Sequence, residues 1–213
     1  MPKHSSISLI MATKLEALPL LELLGLQHTA TRPFPLYCQE DLILIISGIG
    51  KTNAAVAVTY SILSHQPGLV VNLGAAGATH PGCTLGDVYH GCQVIEYDRP
   101  HLRTEALREM VPLVLPGFPG AVIATQDKPV LNHVDRNTLG QCADLVDMEA
   151  AGVVQACERF SVPCSIFKFV SDTPDHTGHD EVVEHIKCHR NSFCEFFVHA
   201  VLPALRKYVL AEK

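Results

Sequence analysis

The sequence predicts an α/β protein, a three-layer α/β/α sandwich around a mixed, largely parallel central sheet. Short aliphatic runs of strand length alternate with longer stretches in which apolar residues recur at helical spacing. Residues 42–47 form an almost uninterrupted aliphatic run, which is typical of a strand covered on both faces. Residues 51–65 are rich in alanine and end just before Pro67, which favours a helix. Such alternation is typical of a sheet with helices on both sides.

The remaining elements follow from the same two periodicities. The sequence predicts a small-residue turn at residues 74–77. Residues 180–208 form a long helical tract with a break near Pro203, because proline donates no backbone hydrogen bond. The length of 213 residues suffices for one substantial core, so we expect a single domain, 1–213. We expect further strands at residues 7–12, 69–73, 88–97, 121–125, 145–148 and 164–170, and further helices at residues 15–24 and 150–160.

The composition argues against several classes of protein. Charged residues are 18% of the chain, the net charge is −6, and acidic and basic residues are interspersed, so we expect no nucleic-acid partner. The apolar runs are too short for a membrane span and no secretory signal is clear, so we expect a cytoplasmic protein. The eight cysteines include no C-x-x-C pair, and we expect buried, reduced thiols.

The histidines of the last third raise the question of a metal site. His176 and His179 are three residues apart, and His185 and His189 are four apart on a predicted helix, a spacing that can ligate zinc. Metallopeptidase helices carry a glutamate directly after the first histidine, and here Ile186 takes its place. We therefore expect surface histidines, with no metal and no cofactor.

Two glycine-rich segments follow predicted strands, at the edge where parallel sheets bind ligands. Residues 47–52 resemble an ATP-binding loop, but Ile45 stands where its first glycine is needed. Asn53 likewise replaces the third glycine of a dinucleotide fingerprint, so the segment is a tight turn beside which a ligand can approach. In the second segment, the backbone amides of Ala75 and Gly77 can bind ligand oxygens, although small residues also serve close packing.

Two acidic positions are the strongest candidates for chemistry. Asp147, Met148 and Glu149 stand where a strand gives way to a helix, and there an acid also simply complements the helix dipole. Asp172 follows an aliphatic strand, where it either caps a turn or, kept protonated by burial, serves as an acid. The residues alone leave both alternatives open.

Five segments have an order and spacing that together are specific: Ser47-Gly-Ile-Gly-Lys-Thr-Asn-Ala-Ala55, Val71-Asn-Leu-Gly-Ala-Ala-Gly77, Leu85-Gly-Asp87, Asp147-Met-Glu-Ala-Ala151 and Val170-Ser-Asp172. They resemble the family of the methylthioadenosine/adenosylhomocysteine nucleosidases, the futalosine hydrolases and the related nucleoside phosphorylases. The resemblance runs, with gaps, from about Ser8 to the final helix. It implies a nucleoside phosphorylase-like fold, a homodimer, and cleavage of the N-glycosidic bond of a purine nucleoside.

The resemblance also implies a role for each matching residue. Asp172 matches the aspartate that protonates N7 of the purine, Glu149 the glutamate that holds the ribose hydroxyls, and Met148 the methionine packed against the sugar. An acid at the base and an anion near the sugar stabilise the charges that develop as the bond breaks. Glu16 is the candidate base for the attacking water, and Leu15 stands where the nucleosidases carry their catalytic glutamate.

Other positions depart from the family pattern. Pro129 replaces a purine-stacking phenylalanine, with Val130 beside it as the expected contact to the base, and Ala75 replaces a serine or threonine. Arginines that bind phosphate in the phosphorylases are missing from both glycine segments, which favours water as the second substrate. Phosphorolysis and nucleoside binding without catalysis remain the alternatives.

Arg99 and Arg103 are the candidates for recognising the 5′ end of the nucleoside. Futalosine carries a carboxylate at that end, which suits the planar fork of an arginine, and we expect these side chains to bind it. A methylthio group would instead need an apolar pocket. A solvated helix face with paired charges would give the same arginine pattern.

Overall fold

The computed structural model describes residues 6–175 and 178–211, except for the side chain of His179. The strands in these residues are β1 (Ile7–Met11), β2 (Gln27–Ala30), β3 (Leu36–Gln39), β4 (Leu42–Ile46), β5 (Leu69–Ala78), β6 (Val88–Glu96), β7 (Arg108–Met110), β8 (Gly120–Thr125), β9 (Leu145–Asp147) and β10 (Cys164–Asp172). The helices are α1 (Lys14–Leu23), α2 (Lys51–His65), α3 (His133–Leu139), α4 (Ala150–Phe160), α5 (His179–Phe196) and α6 (Leu202–Ala211), with a π-helical segment (Phe197–Val201) between α5 and α6.

These strands form one mixed sheet in the order β10-β6-β8-β9-β5-β1-β4-β3-β2, with β7 beside β6. Strand β10 also pairs in parallel with β5, so the strands β5, β9, β8, β6 and β10 close into a ring. The other strands extend from this ring as an open wing, in which β1 runs parallel to both β4 and β5. The predicted α/β fold class with a mixed central sheet is confirmed.

Each face of the sheet carries its own apolar core. Along β1, Ile10 packs in the cluster that contains α2 and α4, whereas Leu9 and Met11 pack in the cluster that contains α1, α5 and α6. The split arises because successive side chains of a strand point to opposite faces. A Cβ atom on Gly152 of α4 would collide with the backbone of Lys51, so glycine there lets α2 and α4 approach closely.

The predicted turn at residues 74–77 is wrong, because β5 continues through it to Ala78. Gly74, Ala75 and Ala76 pair with β10, and Gly77 pairs with both β10 and β9. Pairing with β10, and at Gly77 with β9 as well, holds these small residues in the sheet, although their local sequence favours a turn. The backbone of the segment therefore lies in the sheet and does not open a helix.

The predicted helical tract of residues 180–208 is interrupted as expected. The π-helical segment ends two residues before Pro203, where the missing N–H leaves the regular helix ladder one donor short. Of the eight cysteines, which we expected to be buried, Cys83, Cys157, Cys164 and Cys194 are buried, Cys38, Cys92 and Cys142 are partly buried, and Cys188 is exposed. None of the helices in residues 6–175 and 178–211 is long and apolar enough to cross a membrane.

Candidate active site

A cavity of about 290 Å³ opens at the carboxyl ends of the parallel strands. Its walls come from the segments that follow β1, β4 and β8, from the ends of β5, β9 and β10, and from the first turns of α5. Ligands of α/β sheets bind at this edge. The cavity is lined by Ala12, Thr13, Leu15, Glu16, Ile49, Ala75, Ala76, Gly77, Lys128, Pro129, Val130, Leu131, Val146, Asp147, Met148, Glu149, Ser171, Asp172, Val182, Val183 and Ile186.

Glu16 lies in the cavity wall and is 5% exposed. It stands in the first turn of α1, where its Oε2 accepts a hydrogen bond from the backbone N–H of Thr13 at 3.1 Å and the Thr13 hydroxyl caps the helix in return. Its Oε1 accepts the backbone N–H of Ala75 at 2.9 Å. The capping box and this second contact fix the carboxylate in one orientation, and Leu15 lines the cavity beside it.

Glu149 reaches across the cavity floor instead of capping its own helix. It occupies the N-cap position of α4 without a side-chain cap hydrogen bond, and its Oε1 accepts the N–H of Gly50 at 3.0 Å. Gly50 has φ = +103°, a conformation that favours glycine, so the glycine turn after β4 serves to present this amide. Asp147 serves the helix instead, accepting the N–H of Ala150 at 2.8 Å.

A buried lysine lies beside the carboxylates of Asp147 and Glu149 at the cavity floor. The Lys168 ammonium lies 2.8 Å from Asp147 Oδ2 and 3.8 Å from Glu149 Oε2, with its side chain 1% exposed. Burial by itself lowers the pKa of Lys168, but the two carboxylates raise it above its usual value. Burial raises the pKa of Glu149 to about 7; Lys168 and the Gly50 N–H oppose this rise, while Asp147 and Glu16 add to it.

Asp172 stands at the end of β10, where the pairing with β5 shifts register between Val170 and Asp172. Such a bulge re-aims side chains, and here Asp172 lines the cavity. Its Oδ1 accepts the Ser171 hydroxyl at 2.6 Å, and its Oδ2 accepts a hydrogen bond from the buried guanidinium of Arg136. Asp172 is therefore part of a buried ion pair, a partner that neither sequence-based alternative, a turn cap or an acid kept protonated by burial, included.

Four further candidates from the sequence line the cavity, although some of their groups are already occupied. Met148 and Val130 line the cavity, and the Val130 carbonyl accepts a hydrogen bond from Arg136 at 2.8 Å. Ala75 and Gly77 also line it, but the Ala75 amide is bonded to Glu16 and is not free for a ligand. Gly77 instead makes room, since a Cβ atom there would lie 2.6 Å from Asp172 Oδ2.

The structure does not bring Arg99 or Arg103 to the cavity walls that it describes. Arg99 lies 3.1 Å from Glu96 Oε2 and donates to Gln155 at 3.4 Å, so its charge is paired on the outer side of α4. Arg103 is exposed in the segment between β6 and β7, where its backbone N–H contacts His101.

His185 and His189 have different neighbours. His185 contacts the Ser171 carbonyl through Nδ1 at 3.1 Å, whereas His189 lies against the backbone at Gly86. His176 and the side chain of His179 lie outside the described residues. Among the residues described, no group of three or more metal-ligating side chains occurs.

Two charged residues of the site were missed by the sequence analysis. Lys168 interrupts a buried strand that is otherwise mostly apolar, and a lysine in such a run is a usable signal because lysine is almost never fully buried unless it is paired. Arg136 lies in the short helix α3, which the sequence analysis did not predict, and no neighbouring motif distinguishes it.

Comparison with known proteins gives the family. The sequence profile described as Phosphorylase superfamily matches residues 7–134 and 121–203. The chain belongs to this superfamily, as the sequence resemblance implied.

Individual relatives and solved structures show which members of this superfamily the chain resembles. A Bacillus cereus (strain G9842) protein named 5'-methylthioadenosine/S-adenosylhomocysteine nucleosidase is 28% identical, with the match covering 72% of this chain and 79% of that protein. The crystal structure of 5'-methylthioadenosine/S-adenosylhomocysteine nucleosidase from Helicobacter pylori with butyl-thio-DADMe-Immucillin-A superposes with a TM-score of 0.80 at 20% identity, covering 99% of both chains. The native futalosine hydrolase of Helicobacter pylori strain 26695 gives 0.79 at 21% identity, covering 98% of both. Both structures show that the fold is shared.

Proposed function

We propose that this protein is a purine nucleosidase, which hydrolyses the N-glycosidic bond of a purine nucleoside and releases the free base. The observation that carries the proposal is the convergence of Glu16, Glu149 and Asp172 on one cavity from three separate parts of the chain. The similarity to nucleosidases of the same superfamily supports it.

The chemistry divides among the three carboxyl groups. Departure of the base leaves positive charge on the ribose ring and negative charge on the purine. Asp172 places its carboxyl group at N7 of the purine and, in its protonated form, passes a proton to the leaving base. Glu149 accepts hydrogen bonds from the ribose hydroxyls and stabilises the cationic sugar. Met148, Val130, Ala75 and Gly77 form the walls around base and sugar. Glu16 takes the proton of the water that attacks the anomeric carbon.

Water is favoured over phosphate as the second substrate. Phosphorolysis needs cations that hold an anion, and bidentate arginines suit that purpose. Among the described residues that line the cavity, none is an arginine and Lys128 is the sole lysine. The nearby Lys168 already faces two carboxylates, so it is unavailable to a phosphate.

The wall formed by Leu15, Ile49, Val182, Val183 and Ile186 favours an apolar substituent at the 5′ carbon, such as a methylthio group. A carboxylate, as in futalosine, would need a cation at this end, and the paired Arg99 does not supply one. Futalosine remains the alternative substrate, and direct comparison of the two nucleosides separates them.

A homodimer in the cytoplasm is part of the same proposal. Val56 and Leu63 are each more than half exposed and lie seven residues apart on α2, and the equally exposed Ile49 lies in the turn just before this helix, so we take the three as one apolar stripe. Ile49 also lines the cavity. A second copy packed on this stripe would therefore cover apolar surface and one edge of the cavity together.

The test is release of free purine from 5'-methylthioadenosine and from futalosine, measured by chromatography with and without phosphate. The proposal expects release of base and free sugar in phosphate-free buffer, at an unchanged rate when phosphate is added. Release only with phosphate would show a phosphorylase. Binding of either nucleoside without release would show a non-catalytic nucleoside-binding protein.

A further inference from the structure

Arg136 is a fully buried arginine whose guanidinium donates hydrogen bonds to three segments that border the cavity, although it does not line the cavity itself. One nitrogen donates to the Ala78 carbonyl at 2.6 Å, at the end of β5. The other donates to the Val130 carbonyl at 2.8 Å and to Asp172 Oδ2. A single guanidinium thus ties together the end of β5, the segment after β8 and the end of β10.

Arg136 and Asp172 differ in their exposure to the cavity. The Arg136 side chain is 0% exposed, whereas that of Asp172 is 9% exposed and lines the cavity. A molecule in the cavity therefore meets the carboxyl group and not the guanidinium. Arg136 can act on such a molecule only through Asp172 and Val130.

The residues around Arg136 and Asp172 leave room for this ion pair. A Cβ atom on Gly77 would lie 2.6 Å from Asp172 Oδ2 and 3.0 Å from Arg136 Nη1, so this backbone position must stay bare. The Arg136 Nε atom has no hydrogen-bond partner among the described residues, which leaves a buried polar group unsatisfied. Buried ion pairs are weak contributors to stability compared with apolar packing. These costs point to a role beyond stability.

We infer that Arg136 is a positioning residue for the proposed reaction, and that it acts through Asp172. It holds Oδ2 in place, while the Ser171 hydroxyl holds Oδ1 at 2.6 Å, so the plane of the carboxyl group is fixed from both sides. By holding the Val130 carbonyl as well, Arg136 sets the position of the wall beside which the base binds. The inference rests on the proposed function.

The expected consequence is a loss of rate without a matching loss of binding. A misplaced acid fails in the transition state, when the base takes its proton, whereas the apolar walls still bind the ground state. We expect Arg136→Met to lower kcat for adenine release from 5'-methylthioadenosine by about 100-fold, with KM changed by less than about threefold. Arg136→Lys keeps the charge but not the planar fork, and it should recover part of the lost rate.

A double-mutant cycle tests whether the effect passes through Asp172. The variants are Arg136→Met, Asp172→Asn and both together, with Arg159→Met as a control that removes an exposed arginine of α4. Folding of each is checked by circular dichroism and thermal melting. If Arg136 acts through Asp172, Arg136→Met costs less than about threefold in kcat once Asp172 is Asn. The control should match wild type.

The outcomes separate the inference from the function on which it rests. Equal costs of Arg136→Met in both backgrounds, or a folded Arg136→Met with wild-type kcat, would overturn the positioning role while the nucleosidase stands. If the wild type releases base from neither nucleoside, both the positioning role of Arg136 and the proposed nucleosidase function are overturned. If Arg136→Met does not fold, the same cycle with Arg136→Lys decides, since it leaves no buried carboxylate without its cation.

Discussion

The carboxylate of Glu149 lies 3.8 Å from the ammonium of Lys168, and both groups are buried beneath the cavity. Burial raises the pKa of Glu149 to about 7, and Lys168 limits the rise by favouring the ionised form. The pair therefore places the ionisation of the proposed ribose-binding carboxylate within the physiological range, where its neighbours Asp147 and Glu16 also influence it.

We expect this ionisation to appear in the pH dependence of activity. If the ionised form of Glu149 binds the ribose hydroxyls, kcat/KM rises with pH along an acidic limb centred near pH 7. Glu149→Gln should lower kcat/KM and abolish that limb. The matched control is Glu158→Gln, an exposed glutamate of the same helix, which should keep it. An acidic limb that persists unchanged in Glu149→Gln would assign it to another group.

Glu149 should also cost stability at neutral and alkaline pH. Its pKa is raised from 4.5 to about 7, so between these values the folded protein binds more protons than the unfolded chain. The free energy of unfolding therefore falls as pH rises through this window. Glutamine does not ionise, so Glu149→Gln should have a higher Tm than wild type at pH 8, and the difference should shrink at pH 5. A difference that is constant with pH, or largest at pH 5, would contradict this sign.

A substitution at Gly74 tests whether the position of the Glu16 carboxylate matters for activity. Gly74 has φ = +152°, and a Cβ atom there would lie 2.8 Å from Glu16 Oε1. Gly74→Ala should displace the carboxylate, and a shift of about 1 Å costs on the order of 10²-fold in rate. Gly117→Ala is the matched control, because Gly117 also has positive φ, at +89°, but open space around its Cβ position. Equal kcat/KM for the two variants would mean that Glu16 is not the base.

For the two arginine candidates, Arg99 and Arg103, we predict that substitution leaves the activity unchanged. Since Arg99 is paired with Glu96 and Arg103 is exposed, Arg99→Ala and Arg103→Ala should leave kcat/KM for 5'-methylthioadenosine within about twofold of wild type. Their effect on futalosine cleavage is measured in the same assay. A selective loss of futalosine cleavage in either variant would restore the carboxylate-binding role expected from the sequence.

Long periodic segments made most of the fold predictable from the sequence. The helices α2 and α4 have the predicted bounds, because alanine-rich and amphipathic patterns of more than ten residues leave few alternatives. The short elements β2, β3, β7 and α3 were not predicted, since each is too short to show a period. The extension of β5 depends on partners that are far away in sequence, so local residue preferences could not reveal it.

The sequence predicted which residues of the site follow strands. It did not predict the contacts that these residues make with partners far away in the chain. Glu16, Glu149 and Asp172 follow predicted strands, and all line one cavity. The sequence could not show that Asp172 is paired with Arg136, because the two residues are 36 positions apart. It also could not show that the Ala75 amide is taken by Glu16, 59 positions away.

The most direct test of the proposed catalytic site is the rate at which Asp172→Asn releases adenine from 5'-methylthioadenosine in phosphate-free buffer. Asparagine preserves the size of the side chain but cannot supply the proton, and loss of a positioned acid costs roughly 10²–10⁴-fold in rate. We predict a folded variant with a Tm within a few degrees of the wild-type value and a kcat lowered by about that factor. A folded Asp172→Asn protein that releases adenine at the wild-type rate would contradict the assignment of Asp172 as the acid.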